Sequence, residues 1–171
     1  VSLAATGRLD GYSLPNARIV LDTAVALVAS IVAILTATRF LVEGRGMDLL
    51  LTGGFLAIGV GTFLFAVAPV LSGNDPTAAT SWAAIGAGIF GAALIAFAPF
   101  VKRKTSRRRR SLVAIAVLVA VALLGLWLDA RLLGLDLETA DSDGGRSAAV
   151  VAAYGLLAVL ALVAAVGFGL R

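Results

Sequence analysis

The sequence predicts an all-α fold: an integral membrane bundle of five transmembrane helices, N-terminus outside and C-terminus cytoplasmic. Three observations predict it. Charged residues are missing from five runs, 23–38, 49–74, 76–101, 111–128 and 147–170, each 16 to 26 residues long. A helix rises about 1.5 Å per residue, so roughly 20 apolar residues cross a hydrocarbon core of about 30 Å. The composition agrees: 60% of the 171 residues are hydrophobic and 14% charged, with a mean hydropathy of +1.02, outside the usual soluble range. Finally, seven of the 14 Lys and Arg residues fall between the third and fourth runs. The runs do not alternate apolar with polar residues, which argues against barrel strands.

The elements follow in order. The first span covers about residues 19–41, entered after Pro15-Asn16 and left at Arg39, with Arg18 and Asp22 in the headgroup zone. The second covers 48–71, with Asp48 as N-cap or first-turn acid. Pro69 and the segment Ser72-Gly73-Asn74-Asp75-Pro76 close it in a compact turn. The third covers 80–101, with Trp82 as an interfacial anchor, and Pro99 near its end is expected to terminate it. The fourth covers 111–129, with Trp127 at its far end, and the fifth covers 148–170. Together they make residues 1–171 one polytopic domain, with a basic loop at 102–110 and an acidic loop at 130–147.

Orientation follows from the loops, because those rich in Lys and Arg stay in the cytoplasm. Lys102, Arg103, Lys104, Arg107, Arg108, Arg109 and Arg110 fix the third loop inside. By alternation Arg39, Arg45 and Arg171 are also inside, which leaves only Arg8, Arg18, Arg131 and Arg146 outside. The external fourth loop carries Asp136, Glu138, Asp141 and Asp143. The first 16 residues lack the apolar core of a cleavable signal peptide. The chain opens on Val1, as expected of a processed or excised piece of a larger protein.

Between helices in lipid there is no hydrophobic drive, so close backbone approach over small side chains carries much of the association. Small residues recur every fourth position at Gly53, Ala57 and Gly61, at Ala84, Gly88, Ala92 and Ala96, and at Ala161, Ala165 and Gly169. These are the expected packing faces. The hydroxyls of Thr36, Thr52 and Thr62 are expected to bond back to their own helices.

The inventory for chemistry is thin. With no Cys and no His there is no disulfide, thiolate nucleophile, imidazole base or Cys/His metal ligand. No cofactor and no metal are expected. The net charge of +4 comes from one loop, so it reads as topology rather than nucleic-acid affinity. Gly86-Ala87-Gly88-Ile89-Phe90-Gly91 matches G-x-G-x-x-G. That motif binds dinucleotides only between a strand and a helix, so inside a span it is a packing surface. Asp22 is the one acid adjoining the apolar stretch of a span, and Arg18 lies one turn back. The pair is either an interfacial salt bridge or a ligand or proton site. The Arg107–Arg110 run sets topology, contacts anionic lipid headgroups, or both. The acidic stretch 136–143 lacks the spacing of a calcium loop and is a solvated loop. Apolar interiors in spans two to five argue against an ion-coupled transporter.

One stretch carries a resemblance. Leu21-Asp22-Thr23-Ala24 opens a span that ends in Arg39-Phe40; a turn with Gly44-Arg45-Gly46-Met47-Asp48 follows; the next span closes with Phe63-Leu64-Phe65-Ala66-Val67-Ala68-Pro69. This resembles the multi-span membrane-associated sensor (MASE-like) N-terminal domains of bacterial, especially actinobacterial, sensor histidine kinases and diguanylate cyclases. The resemblance implies a non-catalytic input domain in the plasma membrane that relays a stimulus to a cytoplasmic signalling module, alone or as a homo-oligomer. The alternatives are a small transporter or transporter subunit, and a membrane scaffold working through its small-residue faces and basic loop.

Overall fold

The computed structural model of the chain describes residues 15–73, 78–102, 104–133 and 145–169. Five helices account for nearly all of them: α1 (Pro15–Glu43), α2 (Gly46–Leu71), α3 (Ala78–Phe97), α4 (Arg108–Leu133) and α5 (Gly145–Gly169). No strand occurs among the described residues. The first four helices contain stretches long and apolar enough to cross a membrane: Ile19–Glu43, Gly46–Leu71, Thr80–Phe100 and Arg108–Asp129. In α5 the corresponding apolar part, Gly155–Gly169, is shorter.

α1 and α4 are longer than their charge-free runs because charged residues complete their end turns, whereas α3 is shorter than its run. Arg108, Arg109 and Arg110 are helical, and the Ser111 amide donates to the Arg107 carbonyl at 3.0 Å. The basic segment is therefore part loop and part first turn of α4, as the good helix propensity of arginine allows. The acidic residues at 136–143, the turn at 74–77 and the side chains of Arg18 and Arg103 lie outside the described residues.

Two prolines shape helix ends in different ways. Pro99 sits in a short 3-10 turn, Ala98–Phe100, that finishes α3, as a terminator should. Pro69 lies two residues before the end of α2, and the helix widens ahead of it. Phe63–Val67 forms a π-helical turn, in which the Ala68 amide donates to the Phe63 carbonyl. Proline has no N–H and its ring crowds the carbonyl four residues back, so a widened turn relieves both problems.

Packing makes α2 the central helix, in contact with α1, α3 and α4, while α3 also carries α5 on its outer side. The core is built from small residues and a few large ones: Ala57, Phe65, Ala83, Ala87, Val119 and Leu123, with Ala84 packed against them. α1 turns Ala26, Ala29 and Ala33 inward. Most of its large side chains face out, as do those of α4; Ile34 and Val121 are examples. An apolar outside around a small-residue inside is the arrangement that lipid favours.

Glycine sets the closest approach. A Cβ on Gly54 would stand 2.8 Å from the Gly91 carbonyl oxygen, and one on Gly91 would stand 2.7 Å from that of Gly54. At this crossing of α2 and α3 the two backbones touch reciprocally, with no room for a methyl group. Gly53 faces Ile115 of α4, and Gly61 lies against the Ala87 methyl of α3. An apolar groove of about 440 Å3 opens beside the π-helical turn, between Val60, Leu64 and Phe65 of α2 and Ala120, Leu123, Leu124 and Trp127 of α4.

Candidate functional site

Polar side chains of the described residues gather at one end, where α1 turns into α2 and the 101–107 segment enters α4. The turn itself is two residues long. Gly44 takes a positive φ of 71° and its amide donates to the Phe40 carbonyl at 2.7 Å, closing α1 with a left-handed cap. Arg45 is extended, with φ −78° and ψ 127°, and serves as N-cap of α2 without a side-chain capping bond.

The 101–107 segment locks onto this turn. The Thr105 amide donates to the Gly44 carbonyl at 2.9 Å, and Arg45 and Lys104 form an isolated antiparallel bridge. Arg108 completes the lock: one guanidinium nitrogen donates to the Leu41 carbonyl at 2.8 Å and the Val42 carbonyl at 2.6 Å. The last turn of α1 has no basic residue of its own. Its unpaired carbonyls and negative dipole end are instead served from a different helix. A Cβ on Gly44 would stand 2.8 Å from Arg108 Nε. Glycine is needed there for space as well as for φ.

Beneath the lock lies a chain of charges. Arg39 Nε is 3.4 Å from Glu43 Oε1 and 3.9 Å from Asp48 Oδ1. Arg45 Nε is 2.8 Å from Glu43 Oε2, a charge contact without the alignment of a hydrogen bond. Asp48 is the unusual member. It is the first-turn acid that the sequence predicts for α2, but its side chain is only 1% exposed and its Oδ2 has no hydrogen-bond partner. A buried carboxylate oxygen without a donor carries a desolvation cost of a few kcal/mol.

Next to it, the Thr52 hydroxyl reaches the Asp48 carbonyl at 2.7 Å and the Thr36 hydroxyl at 3.1 Å, its one proton serving one acceptor at a time. Thr36 bonds back to Val32 at 2.9 Å. The expected bonds of Thr36 and Thr52 to their own helices are present, and a polar link between α1 and α2 comes with them.

The residues singled out in the sequence fall into three groups. Gly53, Ala57, Gly61 and Ala84 pack inside the bundle; Gly86 and Gly91 of the G-x-G-x-x-G segment do so too, against Leu126 and Ile58. Ala92 is half-buried. Gly88 and Gly169 have open space where a Cβ would stand, and Ala161 and Ala165 are exposed. They make no packing face within the chain. In α5 the inward positions are Ala153, Leu157, Leu160, Ala164 and Gly167, spaced alternately four and three residues apart. Of the cations, Arg108 is a structural cap, whereas Lys102, Lys104, Arg107, Arg109 and Arg110 project outward. Asp22 is half-buried in α1, far in sequence from the lock.

The sequence reading missed Arg39, Glu43 and Asp48 as a cluster. A signal was present: an Arg and an Asp nine residues apart straddle a Gly-containing turn, so antiparallel helices bring them level. Among the described residues no group of three or more acidic residues could hold a metal ion. Comparisons with family models, curated proteins and solved structures find no match to this chain.

Proposed function

We propose that this chain is a membrane-embedded input domain that passes a rearrangement of its helices to a cytoplasmic signalling module. The observation that supports this reading is the shared position of Arg39. It stands between Glu43 at 3.4 Å and Asp48 at 3.9 Å, while Glu43 has a second partner in Arg45 at 2.8 Å. Arg39 can move fully onto Asp48, filling its empty Oδ2, without stranding Glu43. One cation shared between two carboxylates offers the α1–α2 turn two pairings, the kind of bistable element that a switch requires. A stimulus acts on it by binding one arrangement better than the other. On this reading the basic end faces the cytoplasm, the side on which loops rich in Lys and Arg are expected. The sensor-domain resemblance of residues 21–69 points the same way.

The chain has no Cys, so labels can be placed cleanly. Spin labels at Val42→Cys on α1 and Leu162→Cys on α5, both exposed positions, report the distance between the two helices. Two distance populations are expected, and Asp48→Asn and Arg39→Gln should change their ratio. A single distance, the same in all three proteins, overturns the reading.

A small transporter is the second reading, favoured by Asp48 itself. A buried ionisable group in a helix able to cross a membrane is by default functional. Substrate flux in reconstituted vesicles that Asp48→Asn abolishes would favour this reading over the first.

A further inference from the structure

We propose that Lys102, Lys104, Arg107, Arg109 and Arg110 form a composite site for the headgroup of an anionic phospholipid. The proposal goes beyond the signalling reading and rests only on the helices crossing a membrane.

The fold concentrates these cations without neutralising them. All five are exposed, and none makes an ion pair among the described residues. The Thr105–Gly44 hydrogen bond and the Arg45–Lys104 bridge draw a sixth cation beside them. Like charges set opposite each other repel. The first turn of α4 adds to the problem, because it holds arginines and no acid at the positive end of the helix dipole. The two acids at this end, Glu43 and Asp48, are already faced by Arg39 and Arg45. An anion from outside resolves each of these repulsions.

The surroundings specify which anion. Lys102 comes two residues after Phe100 and five after Phe97, which are 60% and 61% exposed. Val113, 61% exposed, lies one helical turn below Arg109 on the same face of α4. The positive charges thus sit on the rim of an apolar wall. A free phosphate meets only the rim; a molecule with an anionic head and an acyl tail meets both. Arg108 is excluded from the site, because its guanidinium is committed to the end of α1.

The test measures lipid selectivity of the purified chain in vesicles by the motionally restricted fraction of spin-labelled phosphatidylglycerol against spin-labelled phosphatidylcholine. Phosphatidylglycerol should be retained preferentially, by roughly fivefold for each cation engaged, since a basic residue near a charged lipid surface contributes about 1 kcal/mol. Selectivity should fall with rising salt. It should drop by roughly that factor for each cation removed in a Lys104→Gln, Arg109→Gln, Arg110→Gln variant and survive in Arg109→Lys, Arg110→Lys, with helicity checked by circular dichroism. Equal retention of the two lipids, or selectivity indifferent to salt or to the Gln substitutions, overturns the proposal. Should the Gln variant fail to fold, the wild-type salt titration decides alone. Displacement of the labelled lipid by millimolar inorganic phosphate would assign the site to a free anion and overturn the lipid source.

Discussion

α2 and α5 carry the same kind of pattern and use it differently. Both repeat small residues every fourth position: Gly53, Ala57 and Gly61 in one, Ala161, Ala165 and Gly169 in the other. In α2 the row is buried against α3 and α4, and further glycines at 54 and 59 open other sides of the same helix to α3 and α1. In α5 the row faces outward, and contact with α3 runs through a different stripe ending at Gly167. A small-residue row permits close approach but does not create a neighbour. What distinguishes α2 is that small residues occur on several sides at once, as a helix surrounded by three others needs.

The sharpest way to break the contrast is at the crossing of α2 and α3. In Gly54→Ala the new methyl meets a backbone carbonyl at 2.8 Å, which cannot rotate away as a side chain could. The helices must separate, at an expected cost of about 1–3 kcal/mol. Thermal unfolding in detergent should show a clear drop in midpoint. Gly88→Ala, where the Cβ has open space, should instead be neutral or raise stability by up to about 1 kcal/mol, because alanine is the better helix former. Equal effects at the two positions would mean that the reciprocal backbone contact contributes nothing.

A smaller effect is expected where α5 docks. A Cβ on Gly167 would lie 2.6 Å from Pro99 Cγ and 3.3 Å from Phe100 Cζ. Pro99 is held in its 3-10 turn, whereas the Phe100 ring can rotate, so the end of α5 shifts while the four other helices stay together. Gly167→Ala should cost about 1 kcal/mol. It should increase proteolysis or hydrogen exchange in α5 without lowering protection in α2. Uniform loss across all five helices would show α5 to be part of the cooperative core.

These contrasts also mark how far the sequence could be read. Helix number and approximate ends were legible because charge-free runs of this length have few other uses. The face of α2 was legible from glycine spacing, and Asp48 was legible as a first-turn acid. The neighbours of each helix were not legible, since helices that are apolar nearly all round carry no stripe pointing to a core. Nor was the burial of Asp48 beside Arg39, which depends on a two-residue turn holding α1 and α2 in register. Arg108 shows the same limit most plainly. Four consecutive arginines look alike in sequence, and only the left-handed Gly44 with the Thr105 bond selects which one reaches the carbonyls of Leu41 and Val42.

The smallest effect is expected at Ala161 and Ala165. Both are exposed, so replacing them with Leu places added apolar volume in surroundings that already accept Leu162, 67% exposed on the same helix. No side chain of the chain has to move. Stability of the single chain should change by no more than about 0.5 kcal/mol, with circular dichroism unaltered. The pair of substitutions still discriminates, because leucine would hold a second helix away from a surface that alanine lets it approach. If copies of this chain associate through that stripe, chemical cross-linking in vesicles will lose the assembled species while the unfolding midpoint stays fixed. If cross-linking is unchanged as well, the row is simply a lipid-facing surface, and the same four-residue spacing that builds the centre of the bundle at α2 has no packing role at α5.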